Sequence, residues 1–257
     1  MTALLSAEGL SRRFGGVQAV QNMRLDVDRG SITGLIGPNG AGKSTLFNLL
    51  SGVIRPNSGS VAYNGQDVTR LAPFRRARLG MIRTFQLARE FGRLTVLENL
   101  MLSPQMQLGE RFLPLFARPK EVAKIDAEVY ARAEEVMEIA TLIPLRDTYA
   151  ADLSGGQKKL LELARTLMID CDLILLDEPG AGVNPALMGT LTQMIRRLNS
   201  EHGKTFLIVE HDMDLIARLC DPVIVMTEGT FLTAGPFDTI RDDPRVVEAY
   251  LGGTLDA

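Results

Sequence analysis

A short apolar run, Ile32 to Ile36, leads directly into Gly37-Pro38-Asn39-Gly40-Ala41-Gly42-Lys43-Ser44, and Lys43 to Leu50 then carries apolar positions at helical spacing. The pattern G-x-x-x-x-G-K-[ST] between a strand and a helix leaves a chain few alternatives. Its glycines let consecutive backbone N–H groups turn inward around an anion. The helix start that follows adds partial positive charge. Lys43 reaches outer phosphate oxygens, and Ser44, followed by Thr45, offers a hydroxyl to Mg²⁺. The segment is therefore a candidate site for a nucleoside polyphosphate.

Composition narrows the setting. The chain has 257 residues, 28 Lys+Arg against 31 Asp+Glu, a formal charge of −3, 46% hydrophobic and 23% charged residues. These proportions suit one large globular unit or two modest ones and exclude disordered and fibrous classes. With acidic and basic residues interspersed, no broad cationic face is available for a nucleic-acid backbone, so no nucleic-acid partner is expected. No apolar run approaches the roughly 18 residues of a spanning helix, and MTALLSAEGLSRRF does not read as a signal peptide. The expectation is a cytoplasmic protein. Cys171 and Cys220 have no CxxC spacing and sit at the edges of apolar runs, as small buried residues without redox or metal duty.

Along the chain, Leu4 to Leu10 and Gln18 to Val27 read as strands, and residues 53–70 are turn-rich, with Asn64-Gly65 closing an antiparallel edge. From about Leu94 to Leu145 the pattern changes to helices broken by Pro104, Pro114 and Pro119, an inserted helical subdomain. After Ser154, apolar strands at Leu173–Leu176, Phe206–Val209 and Val223–Met226 alternate with amphipathic helices. That pattern implies a parallel sheet covered on both faces.

Two further segments carry chemistry. Leu173 to Leu176 ends on Asp177-Glu178, two carboxylates at the tip of a buried strand, where open α/β sheets bind their ligands. Asp177 is a candidate Mg²⁺ partner and Glu178 a candidate base for an attacking water. Leu153-Ser154-Gly155-Gly156-Gln157 opens a helix with two adjacent glycines, a second anion-binding end that a one-site phosphate enzyme does not need. LSGGQ lying between a phosphate loop and an LLLDEP strand resembles the ATP-binding cassette (ABC) family. The resemblance implies an α/β P-loop NTPase of ABC type: a mixed sheet core with an N-terminal antiparallel β part, residues 1–86 and 154–257 as catalytic core, and about 87–153 as helical subdomain of a single nucleotide-binding domain. It also implies head-to-tail dimers in which Ser154, Gly155, Gly156 and Gln157 cover the γ-phosphate held by the opposite subunit.

The same resemblance assigns further roles residue by residue. Phe14 matches the aromatic that stacks on adenine, with Val20 lining the same face. Gln86 matches the glutamine that contacts Mg²⁺ or water, and His211 the histidine that touches the γ-phosphate. Asn184 stands where much of the family has Asp. Several stretches, among them SRRFGGVQAV, the run Gly80 to Gln86, EHDMDLI and DDPRVVEAYLG, resemble the ATPases of branched-chain amino acid importers. That branch implies a second cassette subunit, two separate membrane permease subunits, a periplasmic substrate-binding protein as an indirect partner, and a peripheral position on the cytoplasmic face of the inner membrane. A lipopolysaccharide-export ATPase and a soluble ATPase of iron–sulfur cluster assembly are the alternatives.

Overall fold

The computed structural model describes residues 3–84, 90–103 and 119–252. In chain order its elements are β1 (Ala3–Phe14), β2 (Val17–Asp28), β3 (Ile32–Ile36), α1 (Lys43–Leu50), β4 (Ser58–Tyr63), β5 (Gln66–Asp67), α2 (Pro73–Arg78), β6 (Met81–Arg83), α3 (Val96–Met101), α4 (Pro119–Ile139), α5 (Gly155–Leu167), β7 (Leu173–Asp177), α6 (Pro185–Ser200), β8 (Thr205–Val209), α7 (Met213–Leu219), β9 (Val223–Thr227), β10 (Thr230–Gly235), α8 (Phe237–Arg241) and α9 (Pro244–Gly252). They divide into two compact units. One comprises the described residues up to 84 with 171–181 and 195–252, the other 90–103 and 119–170 with 182–194.

The first unit holds two sheets. An antiparallel sheet runs β2-β1-β4-β5, and a six-stranded one runs β10-β9-β3-β8-β7-β6, parallel except for the β9–β10 hairpin. Every residue of β3, β7 and β8 is buried, which is why those segments read as unbroken apolar runs. Asn64 and Gly65 take φ of 50° and 75°, the left-handed pair that a two-residue hairpin between β4 and β5 requires. Leu46, Phe47, Leu49 and Leu50 of α1 share one apolar cluster with Leu5, Leu10, Val20 and Met23 of the antiparallel sheet and Leu35, Leu175, Leu207 and Ile224 of the other. The phosphate-loop helix is thus gripped from both sheets, each large side chain contributing about 1.5–3 kcal/mol by burial. Cys171 and Cys220 are both buried, neither in a disulfide, and burial followed by the nearby Glu210 pushes the Cys220 thiol up to about 12.

The carbonyl end of α1 is closed by a residue whose role its sequence hides. Arg76, 1% exposed, donates from its guanidinium to the carbonyls of Leu49 (3.1 Å), Leu71 (3.1 Å), Thr69 (3.1 Å) and Leu50. A cation there answers both the orphan carbonyls and the negative end of the helix dipole. Burial lowers its pKa to about 10, so it stays charged near neutrality.

In the second unit, α3 begins with a capping box in which Thr95 and Glu98 satisfy each other's backbone N–H groups. The fully buried Asn99 ties the preceding loop to that helix: its amide donates to the carbonyls of Phe91, Leu94 and Thr95 and accepts the Phe91 N–H. Val122, Ala133, Val136 and Met137 supply the buried stripe of α4.

Replacing Arg76 with Met keeps the aliphatic bulk and removes the donors from four carbonyls, those of Leu49 and Leu50 buried. Urea denaturation of Arg76→Met should show a loss of roughly 2–4 kcal/mol; a loss under about 1 kcal/mol would mean that the guanidinium is not holding this helix end.

Candidate functional site

The sheet order converges the sequence-selected residues of the first unit on one edge. β3, β8, β7 and β6 are neighbours, with Leu35 opposite Val209, Val209 opposite Asp177, and Leu175 opposite Arg83. Gly37 follows β3, Glu210 and His211 follow β8, Asp177 and Glu178 end and follow β7, and Arg83 ends β6. All lie at the carboxyl ends of parallel strands.

The phosphate loop is fixed by close backbone packing. Gly37 is buried at φ 153°, and a Cβ added there would lie 2.0 Å from the Met226 carbonyl oxygen. Ala41 donates its N–H to the Pro38 carbonyl (3.2 Å) and accepts from the Gly229 N–H (3.0 Å). Asn39, Gly40 and the Ser44 side face solvent, while Pro38, Gly42, Lys43 and Thr45 are half-buried. The Lys43 ammonium donates to the carbonyls of Gly37 (2.7 Å) and Pro38 (2.9 Å). Burial lowers its pKa, and the charge of the Glu178 carboxylate opposes that shift.

Asp177 is 2% exposed and its Oδ2 accepts a 2.7 Å bond from the Arg83 guanidinium. Glu178 takes φ 48°, a left-handed position strained for a non-glycine residue, with its N–H on the Val209 carbonyl (2.9 Å). Its carboxylate is accessible, 41% exposed, and His211 Nδ1 lies 3.9 Å from Oε1. Beneath them Glu210, whose side chain is 1% exposed, accepts the N–H groups of Gly180 (2.7 Å), His211 (2.9 Å) and Asp212 (3.2 Å). This buried carboxylate locks the loop after β7 to the loop after β8. Nothing local in the sequence marks Glu210, within EHDMDLI, as this link.

Phe14 is 45% exposed at the tip of the β1–β2 hairpin, with the Arg12 guanidinium 4.7 Å over its ring. Val20 does not share that surface: it is 0% exposed and belongs to the core cluster that includes α1. The aliphatic residue beside Phe14 is Val17, its register partner, 67% exposed. Gln86 lies outside the described residues.

In the second unit Ser154 caps α5. Its Oγ accepts the Gln157 N–H (3.4 Å) while its own N–H donates to Gln157 Oε1 (2.9 Å), a capping box that commits the Gln157 side chain locally. Ser154 and Gly155 are exposed and Gly156 is buried. Asn184 Oδ1 accepts the Leu187 N–H at 2.9 Å, the helix-start bond that Asp would also make. Among the described residues no cluster of three or more His, Cys, Asp or Glu is arranged to hold a metal by itself. One hydroxyl and one carboxylate, Ser44 and Asp177, suit Mg²⁺ that enters with the nucleotide as part of the substrate, because Mg²⁺ keeps water and phosphate oxygens in its shell.

Residues 20–181 match the ABC transporter family profile. The chain belongs to the ABC transporter family. Residues 232–256 additionally match the profile described as branched-chain amino acid ATP-binding cassette transporter. Among curated relatives, the probable branched-chain amino acid transport ATP-binding protein LivG of Archaeoglobus fulgidus is 40% identical over 249 residues, covering 97% of this chain and 95% of that protein. The high-affinity branched-chain amino acid transport ATP-binding protein BraF of Pseudomonas aeruginosa is 37% identical, covering 97% and 98%. A solved structure described as the ADP conformation of an ATP-binding cassette of an ABC transporter superposes with a TM-score of 0.82 at 33% identity, covering 98% of this chain and all of that one. The fold is accordingly that of an ABC ATPase, and the cassette is an ATP-binding ATPase subunit. Among its described residues no helix is long and apolar enough to cross a membrane.

Removing the Lys43 ammonium deletes charge-assisted bonds worth about 1.5–3 kcal/mol. Calorimetric titration of Lys43→Ala should show ATP binding weakened by roughly 10- to 150-fold; affinity equal to that of the unaltered chain would remove Lys43 from the site.

Proposed function

We propose that this ABC ATPase hydrolyses ATP to power import of branched-chain or related hydrophobic amino acids through two separate permease subunits. In this reading it works with a second cassette on the cytoplasmic face of the membrane and meets a periplasmic binding protein only indirectly. The observation that carries the reading is the match of residues 232–256, a segment outside the phosphate loop and LSGGQ, to the branched-chain profile. The full-length similarity to LivG and BraF proteins supports it and disfavours the lipopolysaccharide-export and iron–sulfur alternatives.

The chemistry follows from the site's own side chains. The N–H groups of residues 39–45 surround the phosphates, and Lys43 exchanges its Gly37 and Pro38 carbonyls for phosphate oxygens. Mg²⁺ bound with ATP would be held by Ser44 and Asp177, with Gln86, and would neutralise phosphate charge. Glu178, exposed on a strained backbone and close to Lys43 and His211, accepts a proton from water and orients it toward the γ-phosphate. His211, its backbone braced by Glu210, stands beside that reacting phosphate. Phe14 and Val17 provide the surface for the adenine ring. Ser154, Gly155 and Gly156 at the start of α5 act in trans, donating N–H groups to the γ-phosphate bound by a partner cassette.

Glu178→Gln keeps the shape of the side chain and removes its capacity to take a proton. Phosphate-release assays should show turnover reduced by at least about 100-fold with ATP affinity within a few-fold. Turnover near that of the unaltered chain would assign the base to another group.

A further inference from the structure

Ser44 and Asn48 of α1, with the C-cap residue Ser51, fall on one face of the helix. Ser44, Asn48 and Ser51 are spaced i, i+4 and i+7, so they form a single stripe running from the phosphate loop to the last turn. One guanidinium reads the lower half of that stripe. Arg83 donates from Nη1 to Asn48 Oδ1 (2.6 Å) and Ser51 Oγ (3.0 Å), and from Nη2 to Asp177 Oδ2 (2.7 Å). Its Cζ also lies 5.0 Å from the centre of the Phe47 ring. The side chain is largely shielded, 15% exposed against 1% for Asp177. Asp177 Oδ1 has no hydrogen-bond partner among the described residues.

Resting on the nucleotide site described above, we propose that Arg83 is a positioning residue for the metal-bearing nucleotide: it fixes Asp177 to the helix that carries Ser44, so that the two oxygens meant for one Mg²⁺ shell are held by a single fork. Ser44 and Asp177 come from different elements, α1 and β7, and the position of one relative to the other depends on what joins those elements near the site. Arg83 on β6 bonds both, and with Oδ2 engaged, the carboxylate is left one oxygen for the shell. A planar guanidinium can hold an amide, a hydroxyl and a carboxylate at fixed angles, which an ammonium cannot do. Outer partners that orient metal ligands typically change metal affinity by about 10- to 100-fold when lost.

The test separates metal-dependent from metal-independent binding. A fluorescent N-methylanthraniloyl derivative of ADP is titrated into the unaltered chain, Arg83→Met and Arg83→Lys, in MgCl₂ and in EDTA, with melting temperature recorded in parallel. In EDTA all three should bind within about threefold of one another, because the phosphate loop itself is untouched. The gain in affinity on adding MgCl₂ should fall at least about tenfold in Arg83→Met, and Arg83→Lys should fail to restore it. The double variant Asn48→Ala/Ser51→Ala, which frees the fork from α1 and keeps the ion pair, should lose part of the same gain and carries the test if Arg83→Met does not fold. An unchanged Mg²⁺ gain in the folded variants, whatever happens to their melting temperature, overturns the proposal and makes Arg83 a purely structural residue. Failure of the unaltered chain to bind the probe at all would instead overturn the nucleotide site.

Discussion

A phosphate loop functions only if its N–H groups stay aimed at an empty centre, and here that constraint is met by wedging the loop's first residue where no side chain fits. Gly37 sits against the Met226 carbonyl at the end of β9, the Gly229 N–H holds Ala41, and α1 leaves the loop directly into a core shared by two sheets. With both ends immobilised, the turn between them has little freedom left to collapse, and Lys43 occupies itself with its own loop carbonyls rather than with a distant acid.

The acidic side is organised by the same means. Asp177 and Glu178 are consecutive and yet differ sharply. Asp177 is enclosed and neutralised by Arg83, while Glu178 is turned out by a left-handed backbone into the space near Lys43 and His211. A static acid suits a metal shell, and an accessible one suits proton acceptance. Glu210, fully enclosed, contributes no chemistry of its own but links the loops that carry Glu178 and His211.

Much of this was legible in the residues. Continuous apolar runs named β3, β7, β8 and β9 to within about a residue because parallel strands are buried on both faces, and the glycine spacing named the phosphate loop. What escaped were interactions with no local signature. In Phe74-Arg75-Arg76-Ala77-Arg78 three arginines look alike, and only tertiary contact makes Arg76 the buried one. Met81–Arg83 is too short for its period to be read, so the sheet edge that brings Arg83 to Asp177 was invisible. The family resemblance puts Val20 on the same face as Phe14, but pairing and packing turn it into the core and leave Val17 outside. Gln157 is the exception, because the Ser154-x-x-Gln157 spacing is a local capping-box signature that commits its side chain to the start of α5.

In the function proposed above, one chain carries two incomplete halves of an ATP site, the phosphate loop and the exposed N-terminus of α5, and ATP joins two copies by mass action. The most direct measurement is size-exclusion chromatography with light scattering on Glu178→Gln, which also removes a negative charge beside the phosphates. The prediction is a dimer with ATP, a monomer with ADP, and a monomer with ATP once Gly155→Asp sets a carboxylate against the γ-phosphate. An ATP-dependent dimer indifferent to Gly155→Asp, or a chain that stays monomeric throughout, would contradict it.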